Sequence, residues 1–258
     1  QWSKKAFAEG ARFVNAHCVA DGSADNFMSL PPSDDWSISG GRYFHYCPNE
    51  TIGGLEFSTI PEVGSPLVAD MSSTLLSRPV DVTQFGVIYA GAQKNIGPAG
   101  LALVLVRKEL LGRARPSCPA MLNWDTAAAN GSMYNTPPTF AVYLTGLVFE
   151  WLESMGGLEV MGAINGRKAE RLYGQIDNSS FYSNPVDESA RSWMNVPFTL
   201  ADAALDTVFL DEAEQAGLTN LKGHRSVGGM RASIYNAVPE AAVEALCSFM
   251  SEFEQRYG

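Results

Sequence analysis

The sequence predicts an α/β protein built on a largely parallel sheet, followed by a smaller α+β unit. Two observations support this prediction. Four short apolar runs in the first half of the chain are continuous instead of alternating, as in strands that are buried on both faces of a sheet. From residue 158 onward, helical periodicity alternates with short extended pieces, which is typical of an α+β layout. We therefore expect two domains, residues 1–156 and 157–258.

The first domain opens with a predicted helix over residues 4–13 and continues into a polar, proline-rich loop over residues 21–35. The four apolar runs follow at residues 43–47, 67–69, 86–90 and 101–106. Polar or small residues stop these runs, Asp70 and Gly91 among them. Open parallel sheets bind ligands beside the carboxyl ends of their strands, so we expect the functional site at those ends.

After Pro137-Pro138, apolar residues recur with three-and-four spacing, which predicts a helix whose apolar stripe packs on the core. The stripe consists of Phe140, Tyr143, Leu144, Leu147, Val148, Trp151 and Leu152. Gly156-Gly157 is expected to end this helix. The second domain is then predicted to hold helices over 160–176, 202–216 and 239–257 and extended pieces over 195–199 and 229–234.

Charge and composition exclude several classes of function. The formal net charge is −10 and the sequence holds no basic run, so nucleic acid is a poor partner. No apolar run is long enough to span a membrane. With three histidines and four irregularly spaced cysteines, we expect no metal centre and a cytoplasmic protein with reduced thiols. The sequence also lacks the glycine and serine motifs of dinucleotide enzymes, P-loop proteins and hydrolases.

The segment of residues 89–100, which contains Lys94, carries the most chemical information. Lys94 follows a predicted buried strand on a glycine-rich turn, and another apolar strand begins shortly after it. Lysine is rarely buried unless its amine reaches water or is used. The pattern leaves both interpretations open: a solvated lysine, or a desolvated amine that forms a Schiff base with an aldehyde.

The amino-acid sequence of residues 89–100 resembles the cofactor-lysine motif of phosphoserine aminotransferases, which are fold-type I pyridoxal-phosphate enzymes of class V. Further fragments resemble that family, in the family's order, as far as the end of the chain. They are His45-Tyr46-Cys47-Pro48-Asn49-Glu50-Thr51, Asp70-Met71-Ser72-Ser73, Ser77-Arg78-Pro79, Asn135-Thr136-Pro137-Pro138-Thr139, Lys222-Gly223-His224-Arg225 and Gly228-Gly229-Met230-Arg231-Ala232-Ser233.

The resemblance implies pyridoxal phosphate as the cofactor and assigns residues to it. Lys94 would hold the cofactor covalently and move the proton from the substrate Cα. Asp70 would pair with the pyridine nitrogen and keep the ring protonated. Trp2 would stack on the ring, Thr51 would bind the phenolic oxygen and Gln93 would reach the phosphate. Without the resemblance, Asp70 could equally be a cap, and Trp2 could simply anchor the first helix.

The resemblance also implies a homodimer with active sites shared between its subunits. Asn135 and Thr136 would contact the cofactor phosphate of the neighbouring subunit, although they could also form a loop that caps the next helix. Arg231 would clamp the substrate α-carboxylate with its bidentate fork. His224 and Arg225 would bind the phosphate of phosphoserine or the side-chain carboxylate of glutamate, in the active site of a partner subunit.

The implied reaction is transamination between O-phospho-L-serine or 3-phosphohydroxypyruvate and the 2-oxoglutarate/L-glutamate pair, in serine biosynthesis. Some members of the family also act on an intermediate of pyridoxine synthesis. The resemblance begins partway along the family's chain, so we expect the N-terminal part, with its glycine-rich phosphate turn, to be absent. Two alternatives stay open: a catalytically inert fragment, and a class V enzyme such as a cysteine desulfurase with Cys118 as its thiol.

Overall fold

The computed structural model describes all residues except Ser37 and Ser39 and the side chain of Asp35. The helices are α1 (Trp2–Gly10), α2 (Trp124–Ala129), α3 (Thr139–Ser154), α4 (Gly157–Asp177), α5 (Asp206–Gln215) and α6 (Glu240–Tyr257). The strands are β1 (Phe44–Tyr46), β2 (Asn49–Glu50), β3 (Leu55–Glu56), β4 (Leu67–Asp70), β5 (Val87–Gly91), β6 (Ala102–Val106), β7 (Tyr182–Ser183), β8 (Asn195–Leu200) and β9 (Met230–Ser233). Within the described residues, no helix is long and apolar enough to cross a membrane.

The main sheet of the first half has the strand order β1-β4-β5-β6. Strands β1, β4 and β5 are parallel, and β6 is antiparallel to β5. The predicted α/β class with a largely parallel sheet is therefore confirmed, and each of the four predicted strands is present. Because β4 and β5 run in the same direction, with Asp70 opposite Tyr89, their carboxyl ends meet at one edge of the sheet.

Strand β6 departs from the prediction that all four strands are buried on both faces. Val104 and Leu105 are 44 % and 37 % exposed. In the part of the chain that the structure describes, β6 pairs with β5 alone and forms the edge of the sheet. A continuous apolar run shows that a strand lacks a polar face, but it does not show that other residues of the chain cover it.

Helix α3 is present as predicted, but only part of its apolar stripe packs inward. Phe140 and Tyr143 are 73 % and 63 % exposed, and Leu152 alone of the seven stripe residues is buried. The inner side of the helix instead carries the small residues Ala141 and Thr145. A Cβ atom on Gly97 would lie 2.5 Å from Thr145 Oγ1, so this close approach of the helix to the turn after β5 requires small side chains on both.

The second half of the chain packs α4, α5 and α6 around the antiparallel sheet β7-β8-β9. Its core is rich in aromatic rings, and the centroids of Phe209 and Phe253 lie 5.0 Å apart in a T-shaped pair. The predicted helices and extended pieces are all present there. This core draws on residues 169–253, and the core under the main sheet draws on residues 46–96. The proposed domain boundary at 156/157 stays a prediction.

Candidate active site

Asp70 and Lys94 lie at the same edge of the main sheet. Asp70 is the last residue of β4, and Lys94 follows the end of β5 at Gly91. The turn that carries Lys94 is closed by hydrogen bonds from the backbone N–H groups of Lys94 and Gly97 to the carbonyl of Ala92, at 2.7 and 2.8 Å. Both side chains are half-buried, which places an acid and an amine together at the ligand-binding edge of an open sheet.

The Asp70 carboxylate is held by Ser72. Asp70 Oδ1 accepts hydrogen bonds from the Ser72 backbone N–H at 3.0 Å and from Ser72 Oγ at 2.6 Å. Ser72 Oγ in turn accepts a hydrogen bond from the Gly91 N–H at 2.9 Å. Ser72 therefore connects the carboxylate at the end of β4 to the backbone at the end of β5, close to where the Lys94 turn begins.

The surroundings of the Lys94 amine favour its neutral form. Burial lowers its pKa below the ordinary value of 10.5, the negative charge of Asp70 opposes this shift, and the positive charge of Arg231 adds to it. A larger fraction of neutral amine at neutral pH makes a lysine more nucleophilic. The local sequence left open whether this lysine is simply solvated, and the structure favours a partly desolvated amine between an acid and a guanidinium.

Trp2, Thr51 and Arg231 meet beside this pair. Trp2 Nε1 donates to Thr51 Oγ1 at 3.0 Å, and Arg231 Nη1 donates to the Thr51 carbonyl at 2.9 Å. Thr51 is buried and Arg231 half-buried. Because the Thr51 hydroxyl accepts from the indole, its own proton stays free to donate. Glu50 fixes the approach of α1, since its carboxylate accepts the backbone N–H groups of Trp2 and Ser3 at 2.9 and 2.8 Å.

Arg231 also carries a buried nitrogen that lacks an acceptor. Among the described residues, nothing accepts a hydrogen bond from its Nε. A buried donor without a partner costs about 1–3 kcal/mol. An anionic ligand beside Thr51 would supply the missing acceptor.

The other predicted site residues are not brought into this cluster. Gln93, Asn135 and Thr136 are exposed, and the Asn135 side chain donates only a long 3.5 Å hydrogen bond to the Thr136 carbonyl. His224 Nδ1 lies 2.7 Å from Ser226 Oγ, and that hydroxyl accepts from Gln1 Nε2 at 2.7 Å. The loop of His224 and the exposed Arg225 therefore lies beside the start of α1.

Comparisons with known proteins identify the family of the chain. The family model for class-V aminotransferases matches residues 7–246. A phosphoserine aminotransferase of Hahella chejuensis is 62 % identical over 257 residues, which are 99 % of this chain and 71 % of that protein. The phosphoserine aminotransferase of Pseudomonas aeruginosa is 59 % identical and covers 100 % of this chain, which spans 72 % of its length.

The chain belongs to the phosphoserine aminotransferase family.

Solved structures of this family share the fold. The phosphoserine aminotransferase from Bacillus circulans subsp. alkalophilus superimposes with a TM-score of 0.97 at 45 % identity, covering 100 % of this chain and 72 % of that one. A PLP-bound phosphoserine aminotransferase from Trichomonas vaginalis gives a TM-score of 0.93 at 43 % identity, covering 97 % of this chain and 73 % of that one. The resemblance inferred from the sequence fragments is therefore confirmed, and so is the fold type.

Several residues that hold this cluster of side chains together were not predicted from the sequence. Ser72 and Glu50 lie in the sequence fragments that resemble the family, but no function was predicted for either side chain. The Asp-x-Ser spacing of Asp70 and Ser72 is a signal that could have been used, because such a serine commonly bonds the carboxylate two residues before it. His45 was also overlooked: its Nε2 lies 2.9 Å from Tyr89 Oη, and burial lowers the pKa of its ring while Asp70 opposes that shift.

Cys118, the alternative nucleophile, lies apart from this cluster. It is half-buried, and the described contact of its thiol is with the carbonyl of Pro119, at 3.7 Å. Cys47 is the thiol close to Lys94, and burial raises its pKa to about 12, which makes it a poor nucleophile at neutral pH. The structure therefore offers no specific support for desulfurase chemistry.

Proposed function

We propose that this chain is a pyridoxal-phosphate-dependent transaminase that acts between O-phospho-L-serine or 3-phosphohydroxypyruvate and the 2-oxoglutarate/L-glutamate pair, in the cytoplasm. The observation that carries the proposal is the convergence of the Lys94 amine and the Asp70 carboxylate at the ends of two parallel strands. The 62 % identity to a phosphoserine aminotransferase supports the choice of substrates.

The residues at the sheet edge fit the cofactor. Lys94 offers an amine of lowered pKa to an aldehyde. Asp70 has a second carboxylate oxygen that accepts nothing from the described residues, so it could face a protonated ring nitrogen. When bound, pyridoxal phosphate supplies an electron sink for the electron pair left on the substrate Cα. We assign Trp2 as an apolar platform for the ring, Thr51 as a donor to its phenolic oxygen and Gln93 as a phosphate contact.

The protein's own share of the chemistry is positioning and proton transfer. We assign to the Lys94 amine the removal of the proton from the substrate Cα and its later return. The unpaired Arg231 Nε and its neighbouring nitrogens are suited to the α-carboxylate of an amino acid. His224 and Arg225, on the loop beside α1, are assigned to the substrate phosphate or the side-chain carboxylate of glutamate.

We further propose that the active form is a homodimer. Large apolar side chains around α3 are exposed, among them Met121, Leu122, Met133, Tyr134, Phe140 and Tyr143. Patches of this kind mark protein–protein contacts. Asn135 and Thr136 are exposed and lie in the same segment of the chain as these apolar side chains, which supports their assignment to the phosphate of the neighbouring subunit. In this proposal residues 1–156 form the cofactor-binding domain and residues 157–258 the small domain.

A substrate-exchange assay tests the proposal. The chain is loaded with pyridoxal phosphate, and O-phospho-L-serine is added together with 2-oxoglutarate. We expect 3-phosphohydroxypyruvate and L-glutamate to form, and L-serine to react far more slowly because it lacks the phosphate. Lys94→Ala should abolish the reaction, whereas Lys108→Ala, a change at an exposed position, should not. Equal turnover of the two lysine variants would refute the role of Lys94, and equal use of L-serine would refute the substrate assignment.

A further inference from the structure

Three buried asparagines connect the Lys94 turn to the second half of the chain. Asn95, Asn165 and Asn236 are 4 %, 0 % and 5 % exposed. Burying a carboxamide is unfavourable unless hydrogen bonds replace the lost water, so the partners of these side chains reveal what each one holds in place. Asn95 directly follows Lys94, Asn165 lies on α4 and Asn236 lies in the loop after β9.

Asn95 links the turn of Lys94 to two other segments. Its Nδ2 donates to the carbonyl of Ser73 at 3.2 Å, and its Oδ1 accepts the backbone N–H of Asn236 at 3.0 Å. Ser73 lies three residues after Asp70, in the turn that also holds Ser72. The side chain of Asn95 therefore joins the segment of the amine to the segment of the carboxylate.

Asn236 and Asn165 extend this contact into the second domain. Asn236 Nδ2 donates to the Leu76 carbonyl at 2.9 Å. Asn165 Nδ2 donates to Asn236 Oδ1 and to the Ser77 carbonyl, both at 2.8 Å. The loop that carries Asn236 is itself fixed, because the Lys168 ammonium donates to three of its backbone carbonyls at 2.9 to 3.0 Å.

We propose that Asn95 is a positioning residue for Lys94, and that Asn236 and Asn165 hold it from the second domain. The inference rests on the proposed function, because it concerns the same amine. The backbone bonds within the turn close on Ala92, and Ser72 holds the start of the turn, at Gly91, against the end of β4. The bond from Asn95 to Ser73 holds the side of the turn that follows Lys94, and it contributes to the separation of the Lys94 amine from Asp70.

The groups that face Lys94 come from several elements. The Asp70 carboxylate lies at the end of β4, Cys47 directly follows β1, Glu50 lies on β2 and Arg231 lies on β9. Burial at this junction is the main cause of the lowered pKa of Lys94. If the turn were released, the amine would reach water more easily, and its pKa would move back towards the ordinary value of 10.5.

Competitive acetylation of amines in the cofactor-free chain measures this effect. The protein is labelled with a trace of acetic anhydride at a series of pH values, and the Lys94 peptide is quantified by mass spectrometry. The variants are Asn95→Ala, Asn165→Ala and the control Leu246→Ala, which empties a buried site in the core of the second domain. The temperature for the control is chosen so that the same fraction of Leu246→Ala and of Asn95→Ala is unfolded. A difference in labelling then does not come from unfolding alone.

We expect the pH at the midpoint of Lys94 labelling to rise in Asn95→Ala. Labelling at pH 8 should then slow about threefold or more, because each unit of pKa changes the neutral fraction of the amine about tenfold. Asn165→Ala should shift the midpoint in the same direction by a smaller amount, and it answers the question by itself if Asn95→Ala does not fold. Leu246→Ala should leave the midpoint unchanged. A midpoint that moves in neither asparagine variant, or moves equally in the control, would overturn the proposal.

The outcome is separable from that of the proposed function. Labelling is measured without cofactor, whereas a reducible adduct of wild-type Lys94 with pyridoxal phosphate is measured with it. A wild-type chain that forms the adduct, combined with asparagine variants of unchanged midpoint, overturns only the positioning role. A wild-type chain that forms no adduct overturns the proposed function whatever the labelling shows.

Discussion

The replacement Ser72→Ala tests how the carboxylate of the site is held. The change removes the hydroxyl that donates to Asp70 Oδ1 at 2.6 Å and accepts from the Gly91 N–H at 2.9 Å. A hydrogen bond to a charged group contributes about 1.5–3 kcal/mol, and an unpaired buried N–H costs about 1–3 kcal/mol. Since Asp70 and Ser72 are half-buried, water offsets part of the loss, and we expect the free energy of unfolding to fall by about 2.5 kcal/mol.

A matched control exists elsewhere in the chain. Ser189 Oγ donates to Asp187 Oδ1 at 2.5 Å with the same two-residue spacing, but it lies in an exposed turn. Ser189→Ala should change the free energy of unfolding by about 0.5 kcal/mol or less. Urea unfolding at pH 7, extrapolated linearly to water, compares the two variants. Equal losses of stability in both would refute the reasoning, because only Ser72 joins the ends of two strands.

Three other changes follow from the structure. Lys168→Met should lower the free energy of unfolding by about 3 kcal/mol, because it removes the ammonium from three backbone carbonyls, of which the Tyr235 carbonyl alone is shown with another donor, the Val238 N–H. Urea unfolding against the exposed-site control Lys222→Met checks this, and equal stability of the two would contradict it. Lys94→Met should raise the melting temperature at pH 7, and raise it less at pH 10. The lowered pKa of Lys94 means that its charged form destabilises the folded state, and this destabilisation decreases as the pH rises from the folded pKa towards the ordinary 10.5. Calorimetry checks this, and a gain in melting temperature that increased with pH would contradict the assignment to the charge of Lys94. Phe140→Glu should convert the proposed homodimer to a monomer in light scattering, because this side chain is 73 % exposed among the exposed apolar residues of the segment 121–143; an unchanged mass would show that Phe140 does not lie in the interface.

The sequence was sufficient to predict the four strands of the main sheet, strands β8 and β9 and the five longer helices, but it did not predict the short elements β2, β3, β7 and α2. Strand β4 is an example, because a continuous apolar run that stops at Asp70 describes both a buried strand and a polar strand end. The burial of α3 could not be predicted in the same way. Helical spacing identifies an apolar face, but which face packs inward depended on the close approach of Gly97 to Thr145, and this is a contact between distant segments.

The candidate site was predictable to a similar extent. Lys94 and Asp70 were identified from strand ends and from the resemblance, and their proximity follows from the parallel pairing of β4 with β5. Ser72 left a local signal that was not used. Asn95 left none, because its partners Ser73 and Asn236 lie 22 and 141 residues away. The contact with Asn236 arises only when the two halves of the chain are folded against each other.

The covalent attachment of pyridoxal phosphate to Lys94 is the claim on which the assignment depends, and peptide mapping tests it directly. The wild-type chain is incubated with pyridoxal phosphate, reduced with borohydride, digested and sequenced by mass spectrometry. We expect one mole of reduced adduct per mole of chain, on the peptide that contains Lys94, and a loss of this adduct in Lys94→Met. An adduct spread over exposed lysines, with Lys94 unmodified, would contradict the account.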